Sequence, residues 1–159
     1  MGDWIEPGVA APDFSAETHD GSRIRLSELR GQTVVLYFYP RDDTPGCTRE
    51  ACAFRDGNAE LAAHGAIVLG VSPDSAASHR RFRDKYQLSF ALLADPQHEV
   101  AELFGAWREK TMYGKTNMGI QRSTYLIDHA GVVARVWKHV AVDGHDAQVL
   151  EAVRELAAR

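Results

Sequence analysis

The sequence holds two cysteines, Cys47 and Cys52, five positions apart. Such a pair can carry two-electron redox chemistry at sulfur. One thiolate attacks an electrophile, and the other condenses with the oxidised product to give a disulfide. The residues ahead of the pair set its character. Thr33–Val34–Val35–Leu36–Tyr37–Phe38–Tyr39 is a run of strand formers, and Pro40 marks its end. Thr44–Pro45 then reads as a helix start, with a hydroxyl at the N-cap and proline at the first helical position, where its missing N–H costs nothing. Cys47 thus falls in the first turn of a helix, just past the carboxyl end of a buried strand. Unpaired backbone N–H groups and the positive end of the helix dipole converge there and favour a thiolate.

The elements that must position this sulfur alternate along the chain. Ala10–Phe14 reads as an extended lead with Phe14 on the core, His19–Ser22 as a turn, and Arg23–Leu26 as a short strand. The strand Thr33–Tyr39 is apolar on both faces, as a central strand covered on two sides must be. The first helix runs from Pro45 toward Arg55, with a break or bend expected at Asp56–Gly57–Asn58, then continues to His64–Gly65. Ala66–Val71 is a buried strand, and Ser72–Pro73–Asp74 opens the helix carrying His79, Phe82 and Tyr86. Ala91–Ala94 is a strand, Asp95–Pro96 starts a helix toward Phe104, and Trp107–Gly119 reads as a long polar loop. Thr124–Asp128 and Val132–Trp137 form a hairpin, and Val149, Val153 and Leu156 line a final helix. The expected fold is α/β, a mixed central sheet flanked by helices, in one domain spanning residues 1–159.

Composition narrows the function. A net charge of −4 gives no reason to expect nucleic acid or an anionic membrane surface as partner, and 45% hydrophobic content supports a real core. No apolar run approaches the ~20 residues that span a bilayer. The stretch Met1–Gly8 lacks the basic-then-apolar pattern of a secretory signal, so a cytoplasmic location is expected. In that reducing setting a cysteine pair serves catalysis more often than stapling. The seven histidines are scattered, with none at metal-ligand spacing beside the cysteines, so no metal is expected. Phosphate-cradling glycine loops are absent as well.

The segment Pro40 to Cys47 contains Pro-x-x-x-Thr-x-x-Cys, which resembles the active-site signature of peroxiredoxins. Its continuation to Asp56, with Met112–Tyr113–Gly114–Lys115 and Gly119–Ile120–Gln121–Arg122 running into Ser123–Asp128, is similar to the bacterioferritin-comigratory, or Q-type, branch. The resemblance covers essentially the whole chain. It implies a thioredoxin-like fold, no prosthetic group, and reduction of hydrogen peroxide and organic hydroperoxides by Cys47, which becomes a sulfenic acid. Cys52 then resolves it as an intramolecular disulfide, a thioredoxin-like dithiol protein restores the thiols, and the protein acts as a monomer. It also implies that Thr44, the N–H groups around Gly46 and Cys47, and Arg122 donate hydrogen bonds to the peroxide. Pro40 would shield the sulfur, and Glu50 would orient Arg122.

Geometry adds a demand of its own. On one continuous helix, positions 47 and 52 point about 140° apart with α-carbons about 8–9 Å from each other, whereas a disulfide needs about 4.4–6.8 Å. The helix must unwind locally before the sulfurs join. An alternative function, a protein disulfide oxidoreductase, predicts Cys-x-x-Cys rather than this spacing and gives Thr44 and Arg122 no role.

Overall fold

Side-chain alternation along strand β3 (Thr33–Phe38) divides the interior in two. Val34, Leu36 and Phe38 point into one apolar cluster with Phe14, Phe104, Tyr125 and Ile127. Val35 and Tyr37, with Tyr39 just beyond the strand, point into another with Cys47, Ala51, Phe54, Val149 and Val153. A strand buried on both faces needs cover on both, which the rest of the chain supplies. The computed structural model describes residues 3–159; Met1 and Gly2, the start of the segment read for a secretory signal, lie outside the described residues.

In chain order, β1 (Ser15–Thr18), β2 (Arg23–Arg25) and a 3₁₀ turn (Leu26–Leu29) precede β3. Helix α1 (Pro45–Ala63), β4 (Ala66–Ser72), α2 (Ala76–Tyr86), β5 (Ala91–Ala94) and α3 (Glu99–Leu103) follow. The last elements are β6 (Trp107–Met112), β7 (Lys115–Ile120), β8 (Ser123–Ile127), β9 (Val133–Trp137) and α4 (His145–Ala157). Seven strands form one sheet in the order β2-β1-β5-β4-β3-β8-β9. Strands β3, β4 and β5 are parallel to one another, while β8, β9, β1 and β2 join antiparallel. The sheet is mixed, as the sequence suggests. Tyr37 pairs with Gly70 of β4, and a Cβ at Gly70 would lie 2.9 Å from the Tyr37 ring, so only glycine lets that ring cross the strand.

Several elements depart from expectation. Helix α1 does not bend at Asp56–Gly57–Asn58: it runs unbroken for 19 residues. The stripe Cys47, Ala51, Phe54 and Leu61 is buried along it, and that packing outweighs the poor propensity of Gly57 and Asn58. Helix α3 starts only at Glu99, because the Asp95 carboxylate accepts the Val100 and Ala101 N–H groups at 3.1 and 3.0 Å. Segment 107–119 is not a loop but most of a two-stranded hairpin, β6 paired antiparallel with β7. Its two-residue turn, Tyr113–Gly114, takes φ of 53° and 77°, the twist that matches paired strands. Strand β1 is not evident in the sequence, since Ser-Ala-Glu-Thr has little apolar alternation.

Because a Cβ at Gly57 would meet nothing within 4 Å, Gly57→Ala removes backbone freedom from the unfolded chain without a clash. Urea denaturation should show a gain of about 0.5–1 kcal/mol. A loss of stability would contradict an ordinary helix at that point.

Candidate active site

The site forms where β3 ends and α1 begins. Thr44 is the N-cap of α1, with extended backbone (φ −96°, ψ 156°), and Pro45 follows it. The first main-chain bond of the helix runs from the Thr48 N–H to the Thr44 carbonyl at 2.8 Å. The N–H groups of Gly46 and Cys47 are therefore left without intrahelical partners at the positive end of the dipole. The Thr44 side chain does not cap the helix. Its hydroxyl donates to the Arg41 carbonyl at 2.9 Å, which leaves the oxygen lone pairs free to accept.

Arg122 reaches the same point from the other side. It lies between β7 and β8 in a linker held by four bonds: Gln121 N–H to the Ala106 carbonyl at 2.7 Å, Ser123 hydroxyl to the Gln121 carbonyl at 2.9 Å, and Val140 N–H and Gln121 Nε2 to the Arg122 carbonyl at 3.1 and 3.2 Å. Because β8 pairs antiparallel with β3, with Ser123 opposite Phe38, Arg122 is delivered to the end of β3 where α1 starts. Its Nη2 donates to Cys47 Sγ at 3.2 Å and its Nη1 to Glu50 Oε1 at 2.7 Å. Cys47 and Glu50 stand one helical turn apart on α1, a spacing that one planar guanidinium fork can bridge.

All three groups are withdrawn from water. Cys47 is 1% exposed, and the side chains of Glu50 and Arg122 are 2% and 17% exposed. Burial pushes the Glu50 carboxyl up to about 7 against the attraction of Arg122. Burial likewise opposes the Arg122 charge, but Glu50 and the Cys47 sulfur outweigh it and hold the guanidinium protonated. The second Glu50 oxygen, Oε2, is buried without a hydrogen-bond partner among the described residues. A Cβ at Gly46 would sit 3.4 Å from Arg122 Nη2, so the guanidinium lies directly over the first turn of α1.

The other expected site residues are placed differently. Pro40 follows β3 at an exposed position. Cys52 is half-buried on the same unbroken helix as Cys47, and both cysteines are free thiols. The structure brings Cys47, Glu50 and Arg122 into direct contact, and leaves Cys52 on another face of α1.

Two features are not apparent from the sequence. Lys110, in a stretch that reads as loop, is a half-buried residue of β6; burial lowers its pKa, Arg122 lowers it further, and the Cys47 sulfur opposes them. The loop before α1 is anchored through Asp42, which accepts from Tyr39 Oη at 2.7 Å and Ser78 Oγ at 2.8 Å, with its Oδ2 2.8 Å from His79 Nδ1. Asp42, Asp74 and His79 bring ligand-type atoms within 4.8 Å of one another. Those atoms bond within the protein: Asp74 Oδ2 accepts from Ser72 Oγ at 2.6 Å and from the Asp42 N–H at 2.8 Å.

The matching family model is the AhpC/TSA family, over residues 7–136. The chain belongs to that family. It is 44% identical over 153 residues to peroxiredoxin Bcp of Bacillus subtilis, covering 96% of this chain and 98% of that one. Peroxiredoxin Q of Xanthomonas campestris superposes with a TM-score of 0.90 at 37% identity, covering 96% of this chain and 99% of that one. The same organism's bacterioferritin comigratory protein, solved to address its alkyl peroxide reduction activity, gives 0.89 at 36% identity and covers 99% of each chain. The fold is thioredoxin-like, and this peroxiredoxin of the Bcp, or Q, branch is a thiol peroxidase.

The Glu50 carboxyl makes a pH-dependent contribution whose sign follows from its raised pKa. The folded state holds the proton up to about pH 7, and the unfolded chain releases it near the ordinary value of 4.5. Folding stability from this group therefore falls as pH rises between those values and is level above them. Glu50→Gln abolishes the titration, so its stability relative to the parent should rise by on the order of 2 kcal/mol between pH 5 and 8. Denaturant melts at the two pH values measure this, and a pH-independent difference would contradict the assignment.

Proposed function

We propose that the protein reduces hydrogen peroxide and organic hydroperoxides at Cys47, resolves the product with Cys52, and is returned to the dithiol form by a thioredoxin-like protein. The observation that carries the reading is the Arg122 fork, donating at once to the Cys47 sulfur and to Glu50. Pro40, Thr44, Cys47, Glu50, Cys52 and Arg122 are the working residues. We take the chain 1–159 to be one domain that works as a cytoplasmic monomer.

The Cys47 thiolate attacks one peroxide oxygen, the O–O bond breaks, and the departing oxygen takes a proton to leave as water or an alcohol. Sulfur is oxidised to the sulfenic acid. Charge develops on both oxygens as the bond opens, and fixed donors in a water-poor site stabilise it. Arg122 and the Gly46 and Cys47 N–H groups supply those donors. Thr44, whose own hydrogen is turned to Arg41, accepts the hydrogen of the incoming hydroperoxide instead of donating, a reversal of the role implied by sequence resemblance. Pro40 limits water at the sulfur. A cysteine only 1% exposed admits a two-oxygen head group far more readily than a protein disulfide, which favours peroxidase over disulfide exchange with proteins.

The unbroken α1 keeps the two cysteines about 8–9 Å apart at their α-carbons by helix geometry, so resolution requires the helix to unwind. Cys47→Ser should abolish peroxide consumption. Cys52→Ser should consume one equivalent, retain an added oxygen by intact mass, and lose turnover with a thioredoxin-type reductant by at least about tenfold. Retained turnover in Cys47→Ser would refute the mechanism.

A further inference from the structure

Tyr86, the last residue of α2, holds the cysteine-bearing segment at both ends. Its hydroxyl donates to Asp43 Oδ1 at 2.6 Å, one residue ahead of the helix N-cap. Its carbonyl accepts from Arg55 Nη1 at 2.6 Å, three residues past Cys52. Both ends are reinforced: Lys85 Nζ donates to Asp43 Oδ2 at 2.7 Å, and Arg55 Nε donates to Asp56 Oδ1 at 2.9 Å. The Tyr86 ring meets that of buried Phe82 edge-on at 5.5 Å, which seats it on the core. Asp43 adopts φ 57°, a left-handed conformation that few non-glycine residues hold.

None of these bonds involves the Cys47 sulfur, Glu50 or Arg122, so they do not serve the attack on peroxide. They resist a change in backbone between positions 44 and 55. Resolution is the step that demands such a change. There the Cys52 sulfur attacks the Cys47 sulfenic sulfur, the S–O bond breaks, the S–S bond forms, and the hydroxyl leaves as water with the Cys52 proton. Excess hydroperoxide competes by transferring a second oxygen to Cys47, giving the sulfinic acid and water or alcohol.

We propose that the bracket from Asp43 through Tyr86 to Arg55 is a positioning device that sets how fast Cys52 reaches oxidised Cys47. It thereby sets how the sulfenic acid divides between disulfide and sulfinic acid. The inference rests on the Cys47–Cys52 chemistry proposed above. The bracket has a strength suited to such control. Lys85 and Asp43 are 58% and 42% exposed, so the bonds hold the helix closed yet release at modest cost.

The test uses Asp43→Gly and Tyr86→Phe in the otherwise intact protein. Glycine accepts the left-handed φ and removes the carboxylate while loosening the backbone, whereas phenylalanine removes only the hydroxyl and separates the two effects. Each reduced variant is mixed with hydrogen peroxide in stopped flow, and disulfide and sulfinic acid are counted by mass. Disulfide formation should be about fivefold faster than in the parent, the size of one exposed charge-assisted bond. The peroxide concentration that drives half of Cys47 to sulfinic acid should rise by the same factor. The rate constant of the first step should stay within about twofold, because the unwound form remains a minor one. Since both variants break the Tyr86–Asp43 bond and Asp43→Gly also removes the Lys85 partner, the double variant should gain no more than Asp43→Gly alone. Resolution unchanged in Tyr86→Phe, or a first step slowed as much as resolution is quickened, would overturn the bracket. Failure of the parent to form any Cys47–Cys52 bond would instead overturn the proposed function.

Discussion

One guanidinium, that of Arg122, is the constraint around which this structure is arranged. It must lie within 3.2 Å of a buried sulfur and 2.7 Å of a buried carboxyl while itself largely out of water. Taking the guanidinium, and the carboxyl once it loses its proton, from water is costly, and only close, well-aligned pairing offsets the cost. The fold provides the alignment by converging two rigid ends. Strand β3 passes into α1 with its first turn bearing Cys47 and Glu50, and β8, antiparallel beside β3, begins directly after Arg122. Displacement of either end would leave a buried charge without its partner.

The same helix answers two opposed requirements. For the proposed peroxide step, α1 must be wound at its start, because the free N–H groups, the dipole and the Cys47–Glu50 spacing all depend on that turn. For the proposed resolution step it must come apart between the cysteines. The burial stripe of α1 includes Cys47, Ala51 and Phe54, while the half-buried Arg55 crosses from beside Cys52 to the end of α2 and the exposed Lys85–Asp43 pair ties the loop ahead of the helix. A helix fastened by its core on one face and by solvent-facing bonds on the other can open locally without loss of the sheet beneath it.

Much of this is legible in the residues. The apolar run Thr33–Tyr39, the Thr44–Pro45 start and the position of Cys47 in the first turn follow from local rules, and local rules govern there. The unbroken course of α1 through Gly57–Asn58 is not legible, because a tertiary stripe of buried side chains outweighs weak propensity. Neither is the β6–β7 hairpin, whose Tyr113–Gly114 turn is not a common hairpin pair and whose strands carry polar residues throughout. The contact of Arg122 with Glu50 spans 72 positions and is set by strand pairing. The family signature points to it; periodicity alone does not. The Asp42 network under the active-site loop stays hidden for the same reason, since its members come from three separate stretches of chain.

The most direct measurement of the central claim is the rate constant for peroxide oxidation of Cys47 in Arg122→Lys. Lysine keeps the positive charge but cannot hold sulfur and carboxyl together in one planar fork. If the fork is what counts, the rate constant should fall by about 100-fold with the fold retained by circular dichroism. A rate equal to that of the parent would show that a positive charge alone suffices and would contradict the account.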